Sequence, residues 1–160
     1  MNQCQQCRKE RRSWKDCPAV PKWFGPADIC YCPHQVEWIL SNLATLKSGY
    51  WPPEHVETGY YDTGGRKVRR GGAYFEVPII VAADVETRLD MCGPDGVLAK
   101  QCLGNGWDEG TLADIMNKPL HVIQAKIRRV VNYCSGARTR QITYYEFTRR
   151  RGIARAQRGN

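Results

Sequence analysis

The segment from residue 111 to residue 131, TLADIMNKPLHVIQAKIRRVV, constrains the fold most, because it predicts two helices joined by a sharp corner. A helix-turn-helix has a small residue in its first helix, a Gly or Asn four positions later and a β-branched residue six positions beyond that. Ala113, Asn117 and Ile123 occupy these positions. Asn tolerates the positive φ that the corner needs, and Pro119 suits a first helical turn. The spacing therefore predicts a helix-turn-helix.

The two predicted helices each have an apolar face. Asp108 occupies the N-cap position of the first helix, which is expected to run to Met116. The apolar face of this helix consists of Leu112, Ile115 and Met116. The buried stripe of the second helix is expected to consist of Ile123, Ile127, Val130 and Val131. A helical hairpin with a basic, solvated face has the same composition and is the alternative interpretation.

The exposed face of the second helix has side chains that suit base recognition. In a helix-turn-helix this face enters the major groove, where Gln pairs with adenine, Arg with guanine and an apolar group with the thymine methyl. The residues expected to face the bases are Leu120, His121, Gln124 and Arg128, with Ala125 close to the groove wall and Lys126 and Arg129 nearer phosphates. Lys118 follows the corner where an apolar residue is usual, which predicts a looser turn.

The run WDEGTLADIMNKPLHVIQAKIRRVVNYCSG, within about residues 95 to 136, resembles a known motif. It is similar to the helix-turn-helix of sigma-factor region 4 and of the small phage late-transcription regulators and antiterminator-like proteins that contain it. This resemblance implies DNA binding near promoters, with contact to RNA polymerase, and a base-facing role for Leu120, His121, Gln124 and Arg128. The N-terminal cysteines and the Tyr-rich middle of the chain are outside the pattern.

Five of the eight cysteines fall within the first 32 residues, in a segment without a steady hydrophobic period. The two residues between the thiols of CQQC let both sulfurs reach one metal ion, and such crowding is typical of Zn²⁺ sites in reducing compartments. The predicted ligands are Cys4, Cys7, Cys30 and Cys32, with Cys17 or His34 as a replacement for one of the second pair. Disulfides are the alternative. Four thiolates leave no open position for a catalytic water.

The remaining apolar patterns predict three more helices. The first begins at Pro33 and ends at Gly49, with Val36, Ile39, Leu40, Leu43 and Leu46 on one stripe. The second begins at Pro78 and is terminated by Gly93, with Val81, Val85, Leu89 and Cys92 on one face. The third is short and offers Val97, Leu98, Cys102 and Leu103 to the core. Cys92, Cys102 and Cys134 are expected to be small core residues.

These patterns together predict a mostly α protein. Residues 1–35 form a zinc-binding module, and 33–77 form an amphipathic helix with an irregular or hairpin, aromatic and Gly-rich linker. Residues 78–136 form a helical helix-turn-helix domain, and 137–160 form a basic tail.

The net charge of +8 favours a polyanionic partner. The tail after Gly136 contains seven arginines and one glutamate, and Arg138 and Arg140 are among the expected phosphate contacts. A frayed, solvated terminus is the alternative for this tail. The aromatic residues of ITYYEF are expected to dock on the domain before the final arginines run free.

Catalysis is not expected, because the three histidines fall in separate segments and no phosphate loop, nucleophile elbow or dinucleotide fingerprint occurs. Asp84, Glu86 and Asp90 are interpreted as the polar face of one helix. No apolar run approaches the ~18 residues of a membrane span, so a cytoplasmic protein is expected. The predicted function is sequence-specific binding of double-stranded DNA for transcription control, with RNA polymerase as a further partner. The alternative is a zinc-stabilised module that docks on polymerase or another protein.

Overall fold

The computed structural model describes residues 30–52, 76–137 and 142–156, and these parts of the chain are mostly helical. In chain order the elements are strand β1 (Cys30–Tyr31), helices α1 (Pro33–Ser41), α2 (Leu43–Lys47), α3 (Glu76–Asp90) and α4 (Pro94–Ala99), a π-helical segment (Lys100–Gly104), helices α5 (Glu109–Ile115) and α6 (Leu120–Cys134), strand β2 (Gly136–Ala137) and helix α7 (Tyr144–Ala156). Among the residues described, no helix has both the length and the apolar character needed to cross a bilayer.

Helices α1 and α2 form where the sequence predicts one continuous helix. The predicted stripe is buried along both, and Gly49 ends α2 with a φ of 82° as expected. The break falls at Asn42, whose side-chain amide donates to the carbonyl of Trp38 at 2.9 Å. Such hydrogen bonds from a side chain to the local backbone compete with the backbone hydrogen bonds of a helix. The spacing of the apolar residues does not report them and therefore does not show the break.

Helix α3 begins at Glu76, two residues before the predicted start. Its predicted face is buried, and Gly93 after it has the expected positive φ of 56°. The next helix, α4, approaches the end of α3 so closely that a Cβ on Gly96 would lie 2.1 Å from the carbonyl oxygen of Leu89. Only glycine fits at this contact. Leu98 is buried, whereas Val97 is 61% exposed, so its predicted place in the core is wrong.

The core lies between α1, α3 and α6. Its fully buried large side chains include Trp38, Ile39, Leu40, Leu46, Val85, Ile123 and Val130. Cys92 and Cys134 are buried in this core as predicted, and Cys102 packs against it while partly exposed. Strands β1 and β2 pair antiparallel, with Cys30 opposite Ala137 and Tyr31 opposite Gly136. The pairing joins the start of the described chain to the residues that follow α6.

A buried ion pair in α3 ties this helix to the end of α6. Arg88 Nε lies 2.9 Å from Asp84 Oδ2, and Arg88 Nη1 donates to the carbonyl oxygens of Cys134 at 2.6 Å and Gly136 at 3.0 Å. The guanidinium also stacks over the ring of Tyr31, 4.8 Å from its centroid. Asp84 is only 8% exposed, so its assignment to a polar outer face is wrong.

Candidate nucleic-acid interface

The corner between α5 and α6 has the predicted backbone geometry. Asn117 has a φ of 49° and is the one non-glycine residue with positive φ in the described part of the chain. The amide of Lys118 donates to the carbonyl of Ala113 at 2.9 Å, which closes the turn. Pro119 is the N-cap of α6, with an extended ψ of 140°, so the helix begins one residue later than predicted.

The contact between the two helices also follows the predicted pattern. Ala113 and Leu112 are buried on α5, and Ile123 of α6 is fully buried. The small side chain of Ala113 allows the close crossing, while the β-branched Ile123 fills the space beside it. At the start of α5, the carboxylate of Asp108 accepts from the amide of Thr111 at 3.0 Å, which confirms the predicted N-cap.

An apolar patch of the α5 segment is open to solvent. Ile115 (65% exposed), Met116 (38%) and Leu120 (45%) lie at the corner, and Trp107 (47%) lies before the start of α5. Of the predicted apolar face of α5, only Leu112 is buried. Helix α5 ends at Ile115, and Leu112 with Ala113 already fills its contact with the core, so the last two apolar residues project outward.

The outer side of α6 presents four of the predicted DNA-contacting residues as an open stripe. His121 and Arg128 are exposed, and Ala125 and Arg129 are partly exposed. Spacings of three and four residues place side chains on one helical face. The opposite face is the predicted buried stripe of Ile123, Ile127, Val130 and Val131. We use the name reading stripe for His121, Ala125, Arg128 and Arg129.

Two other predicted contacts, Gln124 and Lys126, are each held by an acidic residue from another helix. Gln124 Nε2 donates to Glu109 Oε2 of α5 at 2.8 Å. Lys126 Nζ forms an ion pair with Asp95 of α4. Carboxylates therefore flank the reading stripe, and the lysine expected near phosphates already has its charge compensated.

Glu109 and Asp95 are site residues that the sequence analysis missed. They lie 15 and 31 residues from their partners in the chain, and no local spacing connects groups so far apart. The available signal was their position in the first turns of α5 and α4, where acidic residues are favoured by the helix dipole. That signal explains why they are acidic without indicating which side chains they bind.

Helix α7 docks beside α6 as predicted for Tyr144 and Phe147 of ITYYEF, whereas Tyr145 is 73% exposed, so its predicted docking is wrong. The rings of Tyr144 and Phe147 meet the ring of Tyr133 edge-on, with centroids 5.3 Å and 5.4 Å apart. Tyr144 also donates its hydroxyl to Asp95 Oδ2 at 2.9 Å. Burial, this hydrogen bond and the carboxylate charge raise the pKa of Tyr144 above its usual value, while the nearby Arg129 guanidinium lowers it by less. Tyr144 therefore stays a neutral donor at physiological pH.

The basic tail is partly helical. Arg149 and Arg150 are exposed on α7, so the expectation that the final arginines run free is wrong for these two. Arg138 and Arg140 lie outside the described residues.

The predicted metal ligands Cys4, Cys7 and Cys17 lie outside the described residues as well. Cys30 is in β1, and Cys32 is the N-cap of α1, where its sulfur accepts from the amide of Gln35 at 3.4 Å. His34 is buried in the first turn of α1. Across residues 30–52, 76–137 and 142–156, no three His, Cys, Asp or Glu side chains form a group that could hold a metal ion.

No protein-family model, no curated protein and no solved structure matches this chain.

Proposed function

We propose that the protein binds double-stranded DNA sequence-specifically and controls transcription, with α6 as the helix that enters the major groove. The observation that carries this proposal is the reading stripe on the outer side of a helix fixed behind the Asn117 corner. Along successive turns of α6 the stripe offers the imidazole of His121, the small apolar side chain of Ala125 and the guanidinium groups of Arg128 and Arg129. These groups match the donors, acceptors and methyl groups at the edges of base pairs.

Each residue of the interface has a distinct role in this proposal. Arg128 is suited to a bidentate contact with guanine, and Ala125 to the thymine methyl. His121 adds a donor and an acceptor near the start of α6, and Leu120 gives apolar contact there. Arg129 contacts phosphate, where it adds affinity without choosing a sequence.

Gln124 remains competent to read adenine while it is bonded to Glu109. A glutamine amide has two hydrogens and a carbonyl oxygen, and the bond to Glu109 uses one hydrogen. The second hydrogen and the oxygen are the two groups that a bidentate contact with adenine needs. Glu109 is then a positioning residue that fixes the orientation of the amide.

We also propose that the N-terminal cysteines bind one Zn²⁺ through Cys4, Cys7, Cys30 and Cys32, with Cys17 or His34 as a replacement. In support, Cys30 lies in the strand that pairs with β2 directly after α6. The hydrogen bond that the Gln35 amide donates to the Cys32 sulfur is the kind of contact that orients a metal ligand. The expected result is one zinc per chain by elemental mass spectrometry. A Cys7→Ser protein that retains full zinc would exclude Cys7 as a ligand.

The test of the DNA-binding proposal is selection of bound sequences from a random duplex pool. The wild-type protein is expected to enrich one sequence that it prefers at moderate salt. Arg128→Ala and Gln124→Ala are each expected to relax the choice at one base pair, which corresponds to about 1–3 kcal/mol of discrimination. Lys47→Ala, which removes one positive charge from the distant helix α2, is the matched control and should retain the preference. If both α6 variants select the wild-type sequence unchanged, α6 is not the reading helix.

The exposed apolar patch supports a second candidate function, docking on a protein. Between residues 107 and 120 the chain leaves more than a third of four apolar side chains exposed, those of Trp107, Ile115, Met116 and Leu120. The resemblance to sigma region 4 and to phage late-transcription regulators makes bacterial RNA polymerase the partner to test. An Ile115→Asp protein is expected to lose binding to purified polymerase and to keep its DNA preference. Met91→Asp, at an exposed apolar residue after α3, is the control. If both variants bind polymerase equally well, the apolar patch is not the docking site for polymerase.

A further inference from the structure

Helix α7 has a well-defined start. Thr143 and Glu146 form a capping box, in which the Thr143 amide donates to Glu146 Oε2 at 3.0 Å and the Glu146 amide donates to Thr143 Oγ1 at 3.2 Å. The acidic side chain of α7 is thus engaged at its own N-terminus. The residues that follow it include Arg149 and Arg150, both exposed. The outer surface of this helix is therefore cationic.

The start of α7 is anchored by two ring contacts and two hydrogen bonds. Tyr144 and Phe147 pack against Tyr133, which is 2% exposed, and the hydroxyl of Tyr133 donates to the carbonyl of Ile142 at 3.2 Å. The Tyr144 hydroxyl reaches Asp95. Aromatic pairs of this kind add stabilisation beyond the area that they bury. These contacts give α7 a fixed position on α6.

That position is beside the reading stripe. Asp95 accepts from both Tyr144 of α7 and Lys126 of α6, so it joins the two helices. Arg129, a member of the stripe, is close enough to Tyr144 for its charge to act on the phenol. Arg149 and Arg150 follow about 7–9 Å along the axis of α7, at 1.5 Å per residue. The docked helix therefore carries two exposed guanidinium groups on an element that is fixed against α6.

Building on the proposed function, we infer that α7 is a second DNA-binding element, which contacts phosphates of the duplex through Arg149 and Arg150 while Tyr144 and Asp95 hold it in register with α6. Guanidinium groups match phosphate geometry, and phosphate contacts fix the orientation of a protein on DNA. Tyr144 and Asp95 are positioning residues that need not touch DNA. In this inference the docking of α7 fixes the positions of the two arginines, which distinguishes them from arginines in a flexible tail.

The salt dependence of binding to a random duplex tests the phosphate contacts. Each neutralised phosphate contributes about 0.9 to the slope of log K against log salt concentration. Arg149→Gln with Arg150→Gln is therefore expected to lower the slope by about 1.8 and to leave the selected sequence unchanged. Lys47→Gln with Lys100→Gln lowers the net charge by the same amount at two lysines that Glu86 already pairs, so it controls for net charge alone and should leave the slope unchanged. An unchanged slope in the arginine variant would overturn the inference.

A double-mutant cycle tests the placement. Tyr144→Ala with Phe147→Ala removes the docking contacts, and in that background the two arginine substitutions are expected to change the slope by much less than 1.8. If the arginine substitutions change the slope equally in both backgrounds, docking of α7 does not matter for its phosphate contacts, and the positioning role of Tyr144 and Asp95 is wrong. Tyr144→Phe retains the ring contact with Tyr133 and loses only the bond to Asp95, so it gives an intermediate coupling in a protein expected to fold normally. Because the duplex is random, the result does not depend on whether α6 selects a sequence.

Discussion

Two acid–base pairs of similar chemistry, Asp84 with Arg88 and Asp95 with Lys126, lie in different surroundings. The side chains of the first pair are 6% and 7% exposed, and those of the second are 17% and 21% exposed. Arg88 also donates to two backbone carbonyls, whereas Asp95 accepts from the hydroxyl of Tyr144. The first pair is surrounded by the core, and the second lies at the edge of the candidate DNA interface.

The difference shows how environment sets the role of an ion pair. Removing one partner of a buried pair leaves an uncompensated charge, whereas a pair near solvent is screened and contributes little to stability. The Arg88 pair therefore stabilises the end of α6 from the inside. The Asp95 pair compensates the charge of one cation on the surface of α6, that of Lys126.

Arg88→Ala is expected to have the largest effect. It leaves Asp84 buried without its partner and removes the donor to the carbonyls of Cys134 and Gly136, so the free energy of unfolding should fall by about 3–5 kcal/mol. Urea denaturation followed by circular dichroism measures this change. Asp84→Asn is the sharper comparison, because Arg88 keeps both carbonyl bonds, and its loss should be smaller. Equal losses would show that the ion pair, not the carbonyl bonds, dominates.

Lys126→Met should lower the free energy of unfolding by less, about 1 kcal/mol, because the pair of Lys126 with Asp95 is partly exposed. The slope of DNA affinity against salt should not change, because Asp95 already compensates this lysine. Arg129→Met gives the contrast: its partly exposed side chain is proposed to contact a phosphate, so its loss should lower the slope by about 0.9. Fluorescence anisotropy over a salt series measures both slopes. A fall in the Lys126→Met slope would mean that the lysine leaves Asp95 for a phosphate.

Glu86 pairs with two lysines that are still more exposed, so Glu86→Gln should change the free energy of unfolding least of the three. Glu86 Oε1 lies 2.6 Å from Lys100, and Glu86 Oε2 lies 3.0 Å from Lys47. Burial alone would raise the pKa of Glu86, but the bonds and charges of the two lysines outweigh it and lower this pKa. At pH 7 the substitution should cost about 0.5 kcal/mol.

This contribution depends on pH in a defined direction. A carboxyl whose pKa is lower in the folded state stabilises the protein above the unfolded value, about 4.3, and the contribution is lost as pH falls through the folded value. The difference in unfolding free energy between wild type and Glu86→Gln should therefore be present at pH 7 and shrink at about pH 3. A difference that is the same at both values would show that ionisation of Glu86 is not its source.

The sequence predicts the parts of this fold that depend on local spacing. The buried stripes of α1, α3 and α6, the N-cap at Asp108 and the positive φ of Asn117 follow from helical periodicity and backbone sterics. The exposure of Ile115 and Met116 does not, because it depends on where α5 ends relative to its neighbours. The partners of Gln124 and Lys126 do not follow from the sequence, because these pairings join separate helices. The same holds for the carbonyls that Arg88 bonds, which lie at the end of α6 and just after it. The capping box of α7 is also a local pattern, because Thr143 and Glu146 are three residues apart.

The pairing of β1 with β2 has a consequence for the order of folding. Cys30 and Ala137 are more than a hundred residues apart, and closing a loop of that length costs on the order of 4 kcal/mol of chain entropy. Two residues on each strand cannot offset this cost alone, since a hydrogen bond contributes about 1 kcal/mol net. The pair can therefore persist only after the intervening helices have assembled. Slow amide hydrogen exchange within it would report the integrity of the whole helical core.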